Sequence, residues 1–159
     1  MIKRLLFAAL FLAIGFVGGG VAFYLFGPLL YDRPVEEPLM AELETVAVAR
    51  GTFRDADAGH RGSGTATILR TAGGAYLLRL EDFRVTNGPD LEVWLVEDRV
   101  ATSDEVKASA YVSLGTLKGN VGAQTYVLPE GTDPARFQSV VIWCESFAIL
   151  FSPADLAPL

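Results

Sequence analysis

Soft ligands are nearly absent from this chain of 159 residues, which holds one cysteine, Cys144, and one histidine, His60. One thiol excludes an internal disulfide, leaves a disulfide cycle without its resolving sulfur and lies in no CxxCH haem-attachment box. HExxH, a phosphate loop, a nucleophile elbow and a pair of carboxylates at catalytic spacing are all missing, so a stand-alone enzyme is not expected. Lysine and arginine are scattered, without a cluster that could follow a phosphate backbone, and no nucleic acid partner is expected. There is no internal repeat and no low-complexity segment.

What is present begins with residues 5–26, 22 positions without a charge, long enough for one transmembrane helix. The run exceeds the apolar core of a signal peptide and ends in bulky residues, so it reads as an uncleaved anchor in the cell membrane. Lys3 and Arg4 precede it, whereas Asp32, Arg33, Glu36 and Glu37 follow. The positive-inside bias therefore puts residues 1–4 in the cytoplasm and the rest of the chain outside. Gly15 and Gly19 form a GxxxG that would support a helix-mediated homo-oligomer. Residues 27–43, with three prolines and several charges, read as a tether. The 13 basic residues less Lys3 and Arg4 leave 11 against 19 acidic ones, a formal charge of −8 on the exported part.

The folded unit is expected over residues 44–159. Segments 46–53, 65–70, 76–83, 91–97, 111–114, 124–128, 139–144 and 147–151 are rich in β-branched and aromatic residues, and glycine, proline or Asx turns separate them. Tyr76, Leu78 and Leu80 alternate with Arg79 and Glu81, which gives a sheet period with one buried and one wet face. Only 103–108 leans helical, with Ser103 as the expected cap. Eight short strands at even spacing predict an all-β domain, an antiparallel β-sandwich or barrel.

In SVVIWCESFAILF, Val140 and Ile142 share the face of Cys144, and Val141 and Trp143 take the other, as in a central strand covered on both sides. Glu145-Ser146 then breaks the run, and a turn there places the thiol at a strand end near solvent. Two readings stand together. Cys144 is a small core residue, or it is a thiol kept for its chemistry, though no cation lies close in sequence to favour a thiolate. His60 is either a solvated loop residue or a second donor to a metal, and two ligands fall short of a closed zinc site. Asn87-Gly88-Pro89-Asp90 reads as a turn in which Asp90 caps backbone amides, or presents an acceptor at a strand end.

GTF, GHRGSGTATI, LRLEDFRVTNGPDLEVWL, LGTLKGNVGAQTYVLP and SVVIWCESFAILFSPADL, in that order, resemble the signature blocks of the DM13 domain family and cover residues 51–156. The resemblance implies a small all-β domain, often tethered to a bacterial membrane, with a proposed electron-transfer role. That role centres on a cysteine, as a bare thiol or as a ligand to haem or another metal, with a redox protein as partner. The family cysteine falls on Cys144, the family histidine on His60 and the NGPD aspartate on Asp90; Trp143, Glu145 and Asn87 flank them. The alternative function is a non-catalytic cell-envelope binding module that recognises a protein or glycan through loops 55–62 and 85–90. A structural envelope domain clustered by its helix ranks third.

Overall fold

The computed structural model describes residues 2–38 and 44–159. Two antiparallel sheets face each other. The first has the order β6-β3-β2-β1-β9, from Gln124–Val127, Tyr76–Val85, Gly62–Thr71, Thr45–Thr52 and Ala157–Pro158. The second has the order β5-β4-β7-β8, from Tyr111–Thr116, Leu91–Val96, Ser139–Cys144 and Ile149–Asp155. The expected sandwich is therefore formed, all eight expected segments carry strands, and the two-residue β9 is an addition.

The alternation in sequence explains the main core. Ala66 and Ile68 of β2, Leu78 and Leu80 of β3, Val93 and Leu95 of β4, and Val140 and Ile142 of β7 project between the sheets and are fully buried. Removing several such side chains from water contributes roughly 1.5–3 kcal/mol each, and this holds the layers together. β7 is buried on both faces. Its outward residues Val141 and Trp143 join Trp94, Val96, Val100, Val106 and Leu150 in a second core. The short helix α2, Ser103–Ala108, contributes Val106 to that core. Thr102, one residue before the expected Ser103, caps α2: its side chain accepts from the backbone N–H of Glu105, whose carboxylate accepts from Thr102 N at 3.0 Å. Ser103 is occupied elsewhere, its Oγ accepting from Leu150 N at 2.9 Å.

Two polar side chains depart from the simple pattern. Arg79, expected on the wet face of β3, is only 5% exposed. Its guanidinium donates to Thr125 Oγ1 at 2.9 Å, and its Nε lies 3.6 Å from Glu81. Gln124 is fully buried between the sheets. It accepts from Gly119 N and Tyr126 Oη and donates to Gly119 O, so its amide is paired rather than stranded. Burial of the Tyr126 phenol pushes its pKa up to about 12.

The N-terminal region corrects the sequence expectation. Ile2–Leu30 forms one 29-residue helix, α1, but among the described residues no helix is long and apolar enough to cross a membrane. Gly15, Gly18, Gly19 and Gly20 lower its apolar character. The single-pass topology was read from that span alone and loses its support with it. The helix also runs past residue 26 into the expected tether. The next residues do not hang free: Val35 N donates to Val121 O at 2.8 Å and Glu37 N to Ala123 O at 2.9 Å. Lys118 and Glu37 pair at 2.8 Å. Residues 39–43 of the expected tether lie outside the described residues.

Candidate functional site

Cys144 is the last residue of β7, paired with Leu91 of β4 and Ile149 of β8. The expectation of a thiol near solvent is not met: Cys144 is fully buried in the main core. The reason is the turn that follows. Residues 145–148 fold back over the strand end, with Ala148 in the left-handed region at φ 52° and Ala148 N donating to Glu145 O. Asp90 fastens this turn through two atoms. Its carbonyl accepts from Glu145 N at 3.0 Å and its carboxylate from Ser146 Oγ at 2.8 Å. Asp90 thus caps one backbone amide with its main chain, and its carboxylate takes a hydroxyl instead of the amides expected. Glu145 in turn accepts from Trp143 Nε1 at 3.0 Å. Asp90 and Glu145, named from the sequence, are thus parts of the closure that follows Cys144, whereas the Trp143 side chain lies in the second core on the opposite face of β7.

His60 occupies the same end of the sandwich but does not reach the thiol. Its ring packs on Phe151 with centroids 4.4 Å apart, and Phe151 belongs to the core cluster that holds Cys144. Nδ1 lies 2.8 Å from the Asp57 carboxylate, an acceptor, so Nδ1 carries the proton. This contact from the ring, followed by the backbone N–H groups of Gly59 and His60, holds the Asp57 carboxyl below its ordinary range.

The glycines of this end are steric requirements. A Cβ on Gly62 would lie 2.0 Å from Ser152 Oγ, and one on Gly88 would lie 2.6 Å from Leu91 Cδ2 and 2.9 Å from Phe151 Cζ. Gly64 sits at the irregularity between Ser63 and Thr65 in the β2–β3 ladder. Its φ is +103°, and a Cβ there would lie 2.7 Å from the carbonyl oxygens of Glu81 and Asp82.

Beside this end, Asp32, Asp55, Arg61, Ser63, Thr86 and Asn87 line an open cleft of about 430 Å³. Loops 55–62 and 85–90 are laced together across it: Arg61 N donates to Thr86 Oγ1 at 2.8 Å and Thr86 N to Arg61 O at 2.9 Å. Asn87 faces the cleft rather than the thiol.

A haem or metal held by Cys144 and His60 does not fit this arrangement. The sulfur has no exposed surface, the phenyl ring of Phe151 sits under the imidazole, and the cleft is lined by neither residue. Among the described residues no group of three or more His, Cys, Asp or Glu is placed to hold a metal ion.

An aromatic set on the outer face of the second sheet was not anticipated. Trp94 stacks on Tyr111 at 3.8 Å and 5°, and Trp143 lies 5.2 Å from Trp94. Trp94 Nε1 donates to Glu92 at 2.7 Å, as Trp143 donates to Glu145. The signal was in the sequence: Glu92-x-Trp94 puts an acid and an indole on one face of β4, and Glu145, in the turn just past β7, stands two residues from Trp143.

By class this is a two-sheet antiparallel sandwich with one sealed thiol at the end of a central strand. The family model described as Electron transfer DM13 matches residues 52–156. The chain belongs to the DM13 family, and its domain is accordingly one of an electron-transfer-related kind. No curated protein and no solved structure matches it.

Proposed function

We propose that the domain exchanges electrons with a redox partner protein through Cys144 as a bare thiol, sealed at rest and released by local opening of turn 145–148. The observation that carries this reading is the thiol's position. It is one residue from a four-residue turn that Asp90 fastens by polar contacts, with residues 145–147 exposed and Ala148 packed against the second core. Opening that turn exposes the sulfur without separating the sheets. The chemistry is thiol–disulfide exchange. The Cys144 thiolate attacks a partner disulfide, a Cys144–partner S–S bond forms, the partner's own S–S bond breaks, and the departing sulfur leaves as a thiolate that takes up a proton. The second thiol must come from the partner side, since the chain has only one cysteine.

Incubating the full chain with oxidised glutathione in native buffer tests this directly by intact mass. The expected result is a single adduct at Cys144, reversed by reduced glutathione and absent from Cys144→Ser. An adduct that forms only after unfolding overturns the reading.

One observation favours a second reading. The two loops expected to recognise a partner line one cleft, with Arg61, Ser63 and Asn87 offering donors and Asp55 an acceptor. That mixture suits a hydroxyl-rich glycan or a polar protein loop. Under this reading Cys144→Ser keeps full function and loses only stability.

A further inference from the structure

The aromatic set on the outer face of the second sheet has the composition of a conductor as well as of a core. Trp94 and Trp143 are 5% and 3% exposed, whereas Tyr111 is 49% exposed. The three rings therefore make two successive contacts from a half-exposed tyrosine to two buried indoles, with centroid steps of 3.8 and 5.2 Å. Tryptophan and tyrosine are the side chains most easily oxidised by one electron after the thiolate, and exchange between rings in van der Waals contact is fast. Loss of an electron makes an indole N–H strongly acidic, so a buried indole is a good electron donor only where a base waits at hydrogen-bond distance. Both indoles have one. Glu92 Oε2 stands 2.7 Å from Trp94 Nε1 and Glu145 Oε2 3.0 Å from Trp143 Nε1. Ser113 Oγ also donates to Glu92, which fixes that carboxylate in place. Packing explains two buried tryptophans, but it does not require that each point its N–H at a carboxylate while a half-exposed tyrosine stacks parallel on one of them.

We propose that Tyr111, Trp94 and Trp143 form a relay for single electrons, entered at Tyr111 by a one-electron oxidant. In the first step the oxidant takes one electron from Tyr111, whose phenol proton passes to water. Trp94 then reduces the tyrosyl radical, which regains its proton from water, while the Trp94 Nε1 proton moves to Glu92. Trp143 reduces the Trp94 radical, which recovers its proton from Glu92, and the Trp143 Nε1 proton moves to Glu145. The net change is one electron gained by the oxidant and one indolyl radical at Trp143 beside a protonated Glu145. The relay extends the electron-transfer reading of the domain but does not need the thiol.

Flash photolysis of the full chain with photogenerated tris(bipyridine)ruthenium(III) as oxidant tests the relay. The chain has two tryptophans, so any tryptophanyl absorption reports on Trp94 or Trp143. In the wild type a neutral tryptophanyl radical is expected to follow oxidation at Tyr111. Tyr111→Phe is expected to slow its formation fivefold or more, with near-ultraviolet circular dichroism confirming an intact fold. Glu145→Gln should leave the Trp143 radical as the protonated cation with a shorter lifetime. Cys144→Ser should change neither, so a failed glutathione adduct together with an intact radical signal rejects the thiol reading alone. No tryptophanyl radical in the wild type, or a slowing in Tyr111→Phe of less than fivefold, overturns the relay.

Discussion

Gly64→Ala is expected to lower the stability of the domain by about 3–5 kcal/mol, because two costs fall at one position. At φ +103° an L side chain is strained, a cost of roughly 1–3 kcal/mol. The new Cβ also meets the carbonyl oxygens of Glu81 and Asp82 and the Cα of Phe83, each at 2.7 Å. All three are backbone atoms of the neighbouring strand, so relief demands a shift of β3, and overpacking of this kind costs about 1–3 kcal/mol more. Asp82, across the ladder, is itself held at φ 50°, so the irregularity involves both strands and cannot relax on one side alone. Melting temperature should fall by roughly 15–25 °C. Gly74→Ala is the matched control: φ is +85°, but no heavy atom lies within 4 Å of the new Cβ, and a loss of about 1 kcal/mol is expected. Equal losses at the two sites would show that contact with β3 does not constrain Gly64. The consequence reaches the site, since the bulge aims the preceding His60-Arg61-Gly62 segment across Phe151 and Thr86.

Cys144 in the native protein is expected to react with a small thiol reagent about a thousandfold more slowly than in the unfolded chain, the factor for a local opening of about 4 kcal/mol. The sulfur has no exposed surface, so reaction waits on opening. Asp90→Ala removes the acceptor of the Ser146 hydroxyl and leaves the backbone bond from Glu145 N in place. A surface hydrogen bond to a carboxylate contributes about 1–1.5 kcal/mol, so this variant should react about tenfold faster. Its global stability should fall by no more than the same amount. An unchanged rate would mean that the carboxylate does not fasten the turn.

The period of two made the strands legible because it records which face each residue buries, and that is a local property. In β7 both parities are apolar, so no alternation marked one face; the central-strand reading is met, with Val140 and Ile142 in the main core and Val141 and Trp143 in the second core beside α2. Arg79 broke the pattern because its partner, Thr125, belongs to a strand far along the chain. The expected exposure of Cys144 failed for the same reason. A turn after a strand end predicts solvent, but the bond from Ser146 to Asp90 joins residues 56 positions apart, and no local pattern encodes that closure. Whether the fold brings His60 and Cys144 together was not legible in their motifs, and only the structure puts Phe151 against the imidazole. The spanning helix was inferred from an uncharged run. Helical conformation is present there, but a described span of sufficient length and apolarity is not.

The central claim is that turn 145–148 opens while the sandwich stays folded, and the urea dependence of the Cys144 reaction rate measures this most directly. A local opening exposes little surface, so the rate should stay nearly flat at low urea and climb only as global unfolding takes over. A rate that rises from the lowest urea concentrations with the full slope of equilibrium unfolding would show that the thiol is reached only when the whole domain comes apart, and would contradict the account.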